Sequence, residues 1–337
     1  MRDALLEVAE SLRVHDERAF SLFGERHEAR ASHGAIAADS VLTPEATTLL
    51  GQTLYSALHC RLPGDAPPNP ARSGDRKGAL DFAQRLSDAN CGTGTWQSGW
   101  TVRSIAADGQ VVAEIFDLSF WVSPSDVRAA SGPVEAGCPV QVRVPKEYRQ
   151  LHSGFYTALG DADEDLESSP SVRVYWNVHP GGAVALTAQL TAALNESRVP
   201  FLLKVADDPG SFARCDSAVL YLPRARYRAT VPLLAATHRR LREFMRAPLS
   251  AFVKRLAHGL GAADDPGDGS SFGEHRCRLV AATLARPEAA LATSVGERLD
   301  AVRTALRRDG YDPAALFLNP GSADDFEPFD DRAPNAH

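Results

Sequence analysis

Near the N-terminus apolar residues recur at helical spacing: Leu5, Leu6, Val8, Leu12 and Val14 fall on one stripe. Thr43-Pro44-Glu45-Ala46 reads as a helix start with proline at the first helical position. That helix continues through Leu49, Leu50, Leu54, Tyr55 and Leu58. The pattern predicts a helical N-terminal part over 1–60. Residues 61–76, RLPGDAPPNPARSGDR, are rich in Pro, Gly and charge and read as a flexible loop. A further helix is expected over 78–90.

The texture then changes. GTGTWQSGWTVRSIAADGQVVAEIFDLSFWV alternates apolar and polar positions and breaks at Asp108-Gly109, which predicts a β-hairpin and another strand near 114–122. Val140, Val142 and Val144 alternate into one more strand, so 77–145 reads as a β-rich subdomain suited to binding substrate or a partner. Residues 146–321 read as a compact core. Strands are expected at 171–178, 200–206 and 217–222, and a helix at 182–195. A long helix over 230–257 has Leu233, Leu234, His238, Leu241, Phe244 and Met245 on its inner side. After a 264–271 loop come helices 272–286 and 294–308. The acidic tail 322–337 reads as disordered. The fold class is α+β: a helical N-terminal part and an antiparallel or mixed sheet with flanking helices.

Composition narrows the partners. The 337 residues are 44% hydrophobic and 23% charged, as in a soluble protein with a sizeable core. A net charge of -7 argues against nucleic acid as the main partner, since phosphate backbones select basic faces. Cys60, Cys91, Cys138, Cys215 and Cys277 are widely spaced and odd in number, which suits a reducing compartment. Asp3, Glu7 and Glu10 interrupt the apolar run that a signal peptide needs, and no stretch is long enough for a membrane span. The expectation is a cytoplasmic protein with no membrane contact.

Motifs exclude several chemistries. His275 and Cys277 lack a second ligand pair, so no metal is expected. No Gly-x-Ser-x-Gly elbow follows a strand, Gly92-Thr93-Gly94 is not followed by Gly-Lys-Ser/Thr, and kinase signatures are missing. No cofactor is expected. The distinctive feature is cations on apolar strands: Arg173 within VRVYWNV and Lys204 within PFLLKV. Each alone reads as a rim charge; with Arg214, Arg224, Arg226, Arg228 and Arg276 they could line an anion pocket, because arginine forks match phosphate oxygens.

The stretch RVYWNVHPGGAVALTAQLTAALNESRVPFLLKVADDPGSFARCDSAVLYLPRARY, the later SFGEHRCRLVAATL and the earlier NCGTGTWQSGW together resemble the HopA-type effector family over most of residues 40–320. Within that family the chain is similar to lyases that work beside small kinases in thioamitide and class V lanthipeptide biosynthesis, and more remotely to bacterial phosphothreonine lyases. The resemblance implies a phosphothreonine-lyase-like core and β-elimination of phosphate from a kinase-phosphorylated precursor peptide. The phosphothreonine-lyase order is a basic residue and a general acid two apart on one strand, then a lysine base, an arginine and a Leu-Tyr strand. It falls here on Arg173, Tyr175, Lys204, Arg214 and Leu220-Tyr221. This chain departs at 175, where that pattern has histidine.

The resemblance thus implies Lys204 as the base, with Arg173, Arg214, Arg276 and Tyr221 on the phosphate. The proton donor stays open between Tyr175, His179 and His275. A structural reading stands beside each: Lys204 pairing with Asp207 or Asp208 at a strand end, the arginines in surface ion pairs, Tyr175 in the core. Trp96 and Trp100, like Trp121, either line a peptide groove or pack a core; Trp176 and Asn177 are further possible peptide contacts. A separate Ser/Thr kinase is the implied partner. The alternatives are a non-catalytic leader-binding or kinase-activating scaffold, and an effector-like protein acting on host targets.

Overall fold

The computed structural model describes residues 4–30, 36–61, 76–115, 118–129, 131–162 and 170–329. It begins with α1 (Ala4–Ser11), β1 (Arg13–Val14), β2 (Ala19–Leu22) and β3 (Glu25–Glu28), the strands pairing antiparallel in that order. The first sixty residues are therefore not all helical. Ala19 to Leu22 is too short to reveal its period beside a longer helical stripe. The turn that folds it back, Phe23-Gly24, has both residues at positive φ, the two-residue hairpin geometry. α2 (Pro44–Leu54) starts as expected, the Thr43 hydroxyl accepting from the Ala46 amide. It runs into a π-helical turn, Tyr55–Cys60, that ends at left-handed Arg61. The expected 61–76 loop lies, except for its end residues, outside the described residues.

α3 (Arg76–Ala89) leads to β4 (Thr95–Ile105), β5 (Val111–Ile115), β6 (Leu118–Val122), β7 (Val127–Ala129) and β8 (Pro139–Val144). These form an antiparallel sheet of order β6-β5-β4-β8-β7, with the β4–β5 turn at Asp108-Gly109. Trp100, Val102, Val111, Ala113, Val122, Val127, Val140 and Val142 form its own small core.

The remaining elements are β9 (Glu147–His152), β10 (Phe155–Leu159), β11 (Ser171–Trp176), α4 (Pro180–Glu196), β12 (Leu202–Ala206), β13 (Ala218–Pro223), α5 (Arg224–Arg240), β14 (Lys254–Ala257), β15 (Leu260–Asp264), α6 (Phe272–Leu284), α7 (Pro287–Ala290) and α8 (Val295–Arg308). Seven strands join in the order β14-β15-β11-β13-β12-β10-β9, every pairing antiparallel. Strand alternation divides the central residues between two faces. Val172, Val174, Trp176, Leu203, Val205, Leu220 and Leu222 bury one face with the α4 residues Leu186, Leu190 and Leu194 and with Leu234 of α5. Tyr175, Val219 and Ala263 belong to the opposite face, with Leu50 and Leu54 of α2 and Phe272, Cys277 and Val280 of α6. Each large aliphatic side chain so buried contributes roughly 1.5–3 kcal/mol.

Three expectations change here. The 230–257 helix begins earlier and ends at Arg240; Lys254–Ala257 and Leu260–Asp264 form a hairpin instead, turning at Gly259 with φ 68. The helix tolerates Pro232 in its interior and gives way at Leu241 to a short 3-10 turn, Arg242–Phe244, before the hairpin. The β9–β10 hairpin was not expected at all. The tail is held as far as it is described: Phe326 is fully buried against Tyr227, Asp324 binds Lys254 at 2.5 Å, and Asp325 lies 3.5 Å from both Arg224 and Arg228. Residues 330–337 lie outside the described residues. No helix among the described residues is long and apolar enough to cross a membrane.

Candidate functional site

Lys204 sits mid-strand on β12, and because Leu203 and Val205 face the α4–α5 core, its own side chain emerges on the other face. Across the sheet its register partners are Val219 on β13 and Thr157 on β10, and Val219 in turn opposes Tyr175 on β11. The Nζ atom lies 4.2 Å from the centroid of the Phe155 ring. Among the described residues it makes no hydrogen bond or ion pair, and Asp208 instead caps the next turn by accepting from the Gly210 amide at 2.9 Å. Burial is the largest influence on the amine and disfavours its charged form; the guanidinium groups of Arg214 and Arg173 act the same way. Asp216 and Glu274 oppose them, and the net result is a lysine brought down to about 8.

The two flanking arginines are anchored by carboxylates. Arg214 donates from Nε to Asp216 Oδ1 at 2.5 Å and from Nη2 to Oδ2 at 2.6 Å, a bidentate fork. It also donates to the Tyr55 hydroxyl at 2.9 Å and lies against the same Phe155 ring as Lys204, at 5.4 Å. Burial alone would raise the Asp216 carboxyl, but Arg214 and His59 outweigh it and hold it well below the usual range. His59 places Nε2 3.4 Å from Asp216 and Nδ1 2.7 Å from the Ser250 hydroxyl, and it stacks on Tyr55. Only a glycine fits at 273, because a Cβ there would come within 2.3 Å of the His59 ring. Arg173 donates to Asp265 at 2.6 Å and to the Ser270 carbonyl at 2.9 Å, with its guanidinium 5.0 Å over Tyr221. Arg214 bonds through Nε and Nη2 alone, which leaves its Nη1 as a donor for an anion, whereas Arg173 also faces the Tyr175 phenol.

Arg276 departs from its expected place on a phosphate. It is fully buried, and its fork is taken by the carbonyls of Leu316 and Leu318, by Asn319 Oδ1 and by His275 Nδ1. It ties the segment after α8 to α6. Tyr221 is half-buried beneath Arg173, its phenol pushed up by burial.

The expected proton donors scatter. Tyr175 is buried, edge-on to His59 at 5.7 Å, and burial pushes its phenol far up despite neighbouring Arg173. His275 is half-buried, bonded to Arg276 and tilted onto Tyr311, and its imidazole is lowered by burial and then by Arg276. His179 caps α4, on the opposite face, accepting from the Gly181 amide at 3.1 Å and packing on Phe244. It does not join the Lys204 group.

The peptide-groove residues are not gathered either. Trp176 is fully buried on the α4–α5 face; Asn177 is buried, donating to the Pro248 carbonyl and accepting from Arg246. Trp100 packs the small sheet's core against Phe120, and Trp96 lies there under the Arg128 guanidinium at 4.3 Å. Strand parity sent Trp176 and Trp100 to cores, while Trp96 stays half-buried on the small sheet.

Sequence reasoning missed Asp216, Tyr55 and His59, which fix Arg214, and two groups on the β9–β10 hairpin. Thr157, directly across from Lys204, has a buried hydroxyl without a hydrogen-bond partner. His152 opposes Phe155 in register, which puts it on the Lys204 face, and its buried Nδ1 also has no partner. The imidazole is lowered first by burial, then by Lys204 and Arg173. A polar Thr inside FYTAL and a His flanking Ser153-Gly154 were the available signals. Among the described residues no group of three or more His, Cys, Asp or Glu is placed to hold a metal ion. What the arrangement offers is a poorly solvated amine, two anchored guanidinium groups and unpaired polar atoms on one sheet face: equipment for binding an anion and removing a nearby proton.

No curated protein matches the chain. Among solved structures it is similar to an effector protein from Pseudomonas syringae pv. tomato strain DC3000, at 17% identity over 86% of this chain and 91% of that one, with a TM-score of 0.42. It is also similar to an effector protein from Pseudomonas syringae pv. syringae strain 61, at 16% identity over 73% and 82%, with a TM-score of 0.39. Residues 147–318, just over half the chain and running from β9 past α8, match the model of the HopA1 effector protein family. The chain belongs to that family.

Proposed function

We propose that this protein is a carbon–oxygen lyase that eliminates phosphate from phosphoserine or phosphothreonine in a peptide, leaving dehydroalanine or dehydrobutyrine. The observation that carries the reading is Lys204: an amine at about 8, without an ion-pair partner among the described residues, between two guanidinium groups. β-Elimination needs a neutral base for a weakly acidic Cα proton and positive charge where the phosphate departs. At pH 7 such an amine is neutral in roughly a tenth of molecules, against a few in ten thousand for an ordinary lysine. The Arg214 Nη1 and the Arg173 guanidinium charge would hold the phosphate, and their attraction grows as charge collects on the leaving group.

The substrate in this reading is a precursor peptide phosphorylated by a separate Ser/Thr kinase, as in thioamitide or class V lanthipeptide biosynthesis; the lack of a nucleotide-binding motif in the sequence supports a partner kinase. Purified protein mixed with phosphopeptide is expected to remove the mass of one phosphoric acid without ATP, and Lys204→Ala to stop this while leaving the fold intact. Phosphopeptide unchanged even with the kinase present overturns the reading. The family's name supports a second reading, in which the target is a host-cell protein. Elimination from phosphorylated host-cell proteins, with precursor peptides left untouched, would favour it.

A further inference from the structure

We infer that His152, on the β9–β10 hairpin, is the group that protonates the departing phosphate. The inference rests on the lyase reading above and assigns a residue that the strand motif does not contain. Two buried polar atoms on neighbouring strands of one face, Thr157 Oγ1 and His152 Nδ1, lack partners among the described residues, and the half-buried Lys204 amine lies beside them against Phe155. Buried polar groups are nearly always satisfied, so a cluster of orphans marks where a ligand's oxygen atoms belong. The arginines by contrast spend most of their donors on Asp265, Asp216, Tyr55 and Ser270.

The competing donors are worse placed. Tyr175 is buried beneath His59 and Phe272, His275 has Nδ1 bound to Arg276, and His179 is committed to the start of α4. His152 is tied to none of these duties. Its strand partner Phe155 carries Lys204 on its ring, so acid and base stand on either side of one aromatic wall.

In the step, the neutral Nζ of Lys204 takes the Cα proton. The released electron pair forms the Cα–Cβ double bond, the Cβ–O bond breaks with its electrons going to oxygen, and that oxygen takes the proton of the His152 imidazolium. The products are the dehydroamino acid and inorganic phosphate, and the proton gained by Lys204 returns to His152 through water. The charged groups facing His152 are Lys204 from β12 and Arg173 from β11; after burial, they lower the imidazole, and a phosphate dianion against the ring acts in the opposite direction.

Two measurements test this on the full chain. In the first, histidine nitrogen NMR follows the His152 titration, assigned by its loss in His152→Gln, with and without saturating inorganic phosphate. An upward shift of at least about one unit is expected for an anion against the ring; no shift overturns the assignment. In the second, elimination from a pool of synthetic peptides with one phosphoserine or phosphothreonine is followed against pH. His152→Gln is expected to cut kcat roughly 10²–10⁴-fold and to abolish the decline of kcat at high pH, while KM changes little. A structural role would not remove that limb selectively. If Lys204→Ala abolishes elimination but His152→Gln keeps both the wild-type kcat and the limb, the His152 proposal fails and the lyase reading stands. If the wild-type protein eliminates nothing from the peptides, with or without the kinase, both fall, whatever the titration shows.

Discussion

Replacing Lys204 by Met should stabilise the protein while destroying its proposed activity. The amine titrates near 8 in the fold and about 10.5 when unfolded, so below pH 8 the unfolded chain binds a proton more tightly than the folded one. The difference, two to three units at about 1.36 kcal/mol each, destabilises the fold by roughly 3 kcal/mol, and by about half that once partial exposure is allowed for. The sign follows from proton counting: between pH 8 and 10.5 the unfolded state carries more protons, so wild-type stability rises with pH across that window. Met has a similar stem and no charge, so its advantage is greatest below pH 8 and fades toward 10.5. Thermal unfolding of both proteins at pH 7.0, 8.5 and 9.5 would read this directly. A Tm higher by a few degrees for Lys204→Met at pH 7, narrowing at pH 9.5, is expected. A lower Tm at pH 7, or a gain that does not narrow, would refute the argument that Lys204 is held against its preferred charge state.

Glu274, exposed on α6, favours the charged form of Lys204, so Glu274→Gln should move the rising limb of the elimination pH profile to lower pH and, by the same linkage, lower Tm slightly at pH 7; a shift of the limb upward contradicts the electrostatics. Gly273→Ala should cost about 1–3 kcal/mol in urea unfolding because its methyl group meets the His59 ring, and His59→Ala added to it should recover part of that loss. Phe326→Ala should cost about 3–5 kcal/mol and release the tail to proteolysis; an unchanged urea midpoint would mean the tail is not part of the fold.

The strands that present the site were readable because their apolar alternation is regular. Val172, Val174, Leu203, Val205, Leu220 and Leu222 all point to one core, which forces Arg173, Lys204 and Tyr221 to the other face. That parity is local and survives folding. The arginines' partners are not local: Asp265 lies 92 positions from Arg173, and Tyr55 is 159 positions from Arg214, distances at which sequence spacing says nothing. Arg276 failed as a phosphate ligand for a related reason, since only the return of residues 316–319 decides that its fork is consumed. The β9–β10 hairpin escaped notice because its strands are short and joined through Ser153-Gly154, with a bulge blurring the alternation. The two indoles of the small sheet were legible as strand residues but not as core or surface.

The π-helical turn at Tyr55–Cys60 has a practical consequence. It lies some ninety residues ahead of the family-matched segment, yet it supplies the hydroxyl and the imidazole that steady Arg214 and Asp216. α2, which carries it, also covers much of the sheet face opposite α4 through Leu50 and Leu54. A fragment cut at residue 147 would keep every motif residue and still lose both supports, leaving a bare greasy sheet and a loosened guanidinium. Swapping segments between relatives should therefore move the first sixty residues together with the motif-bearing half, as one inheritable unit.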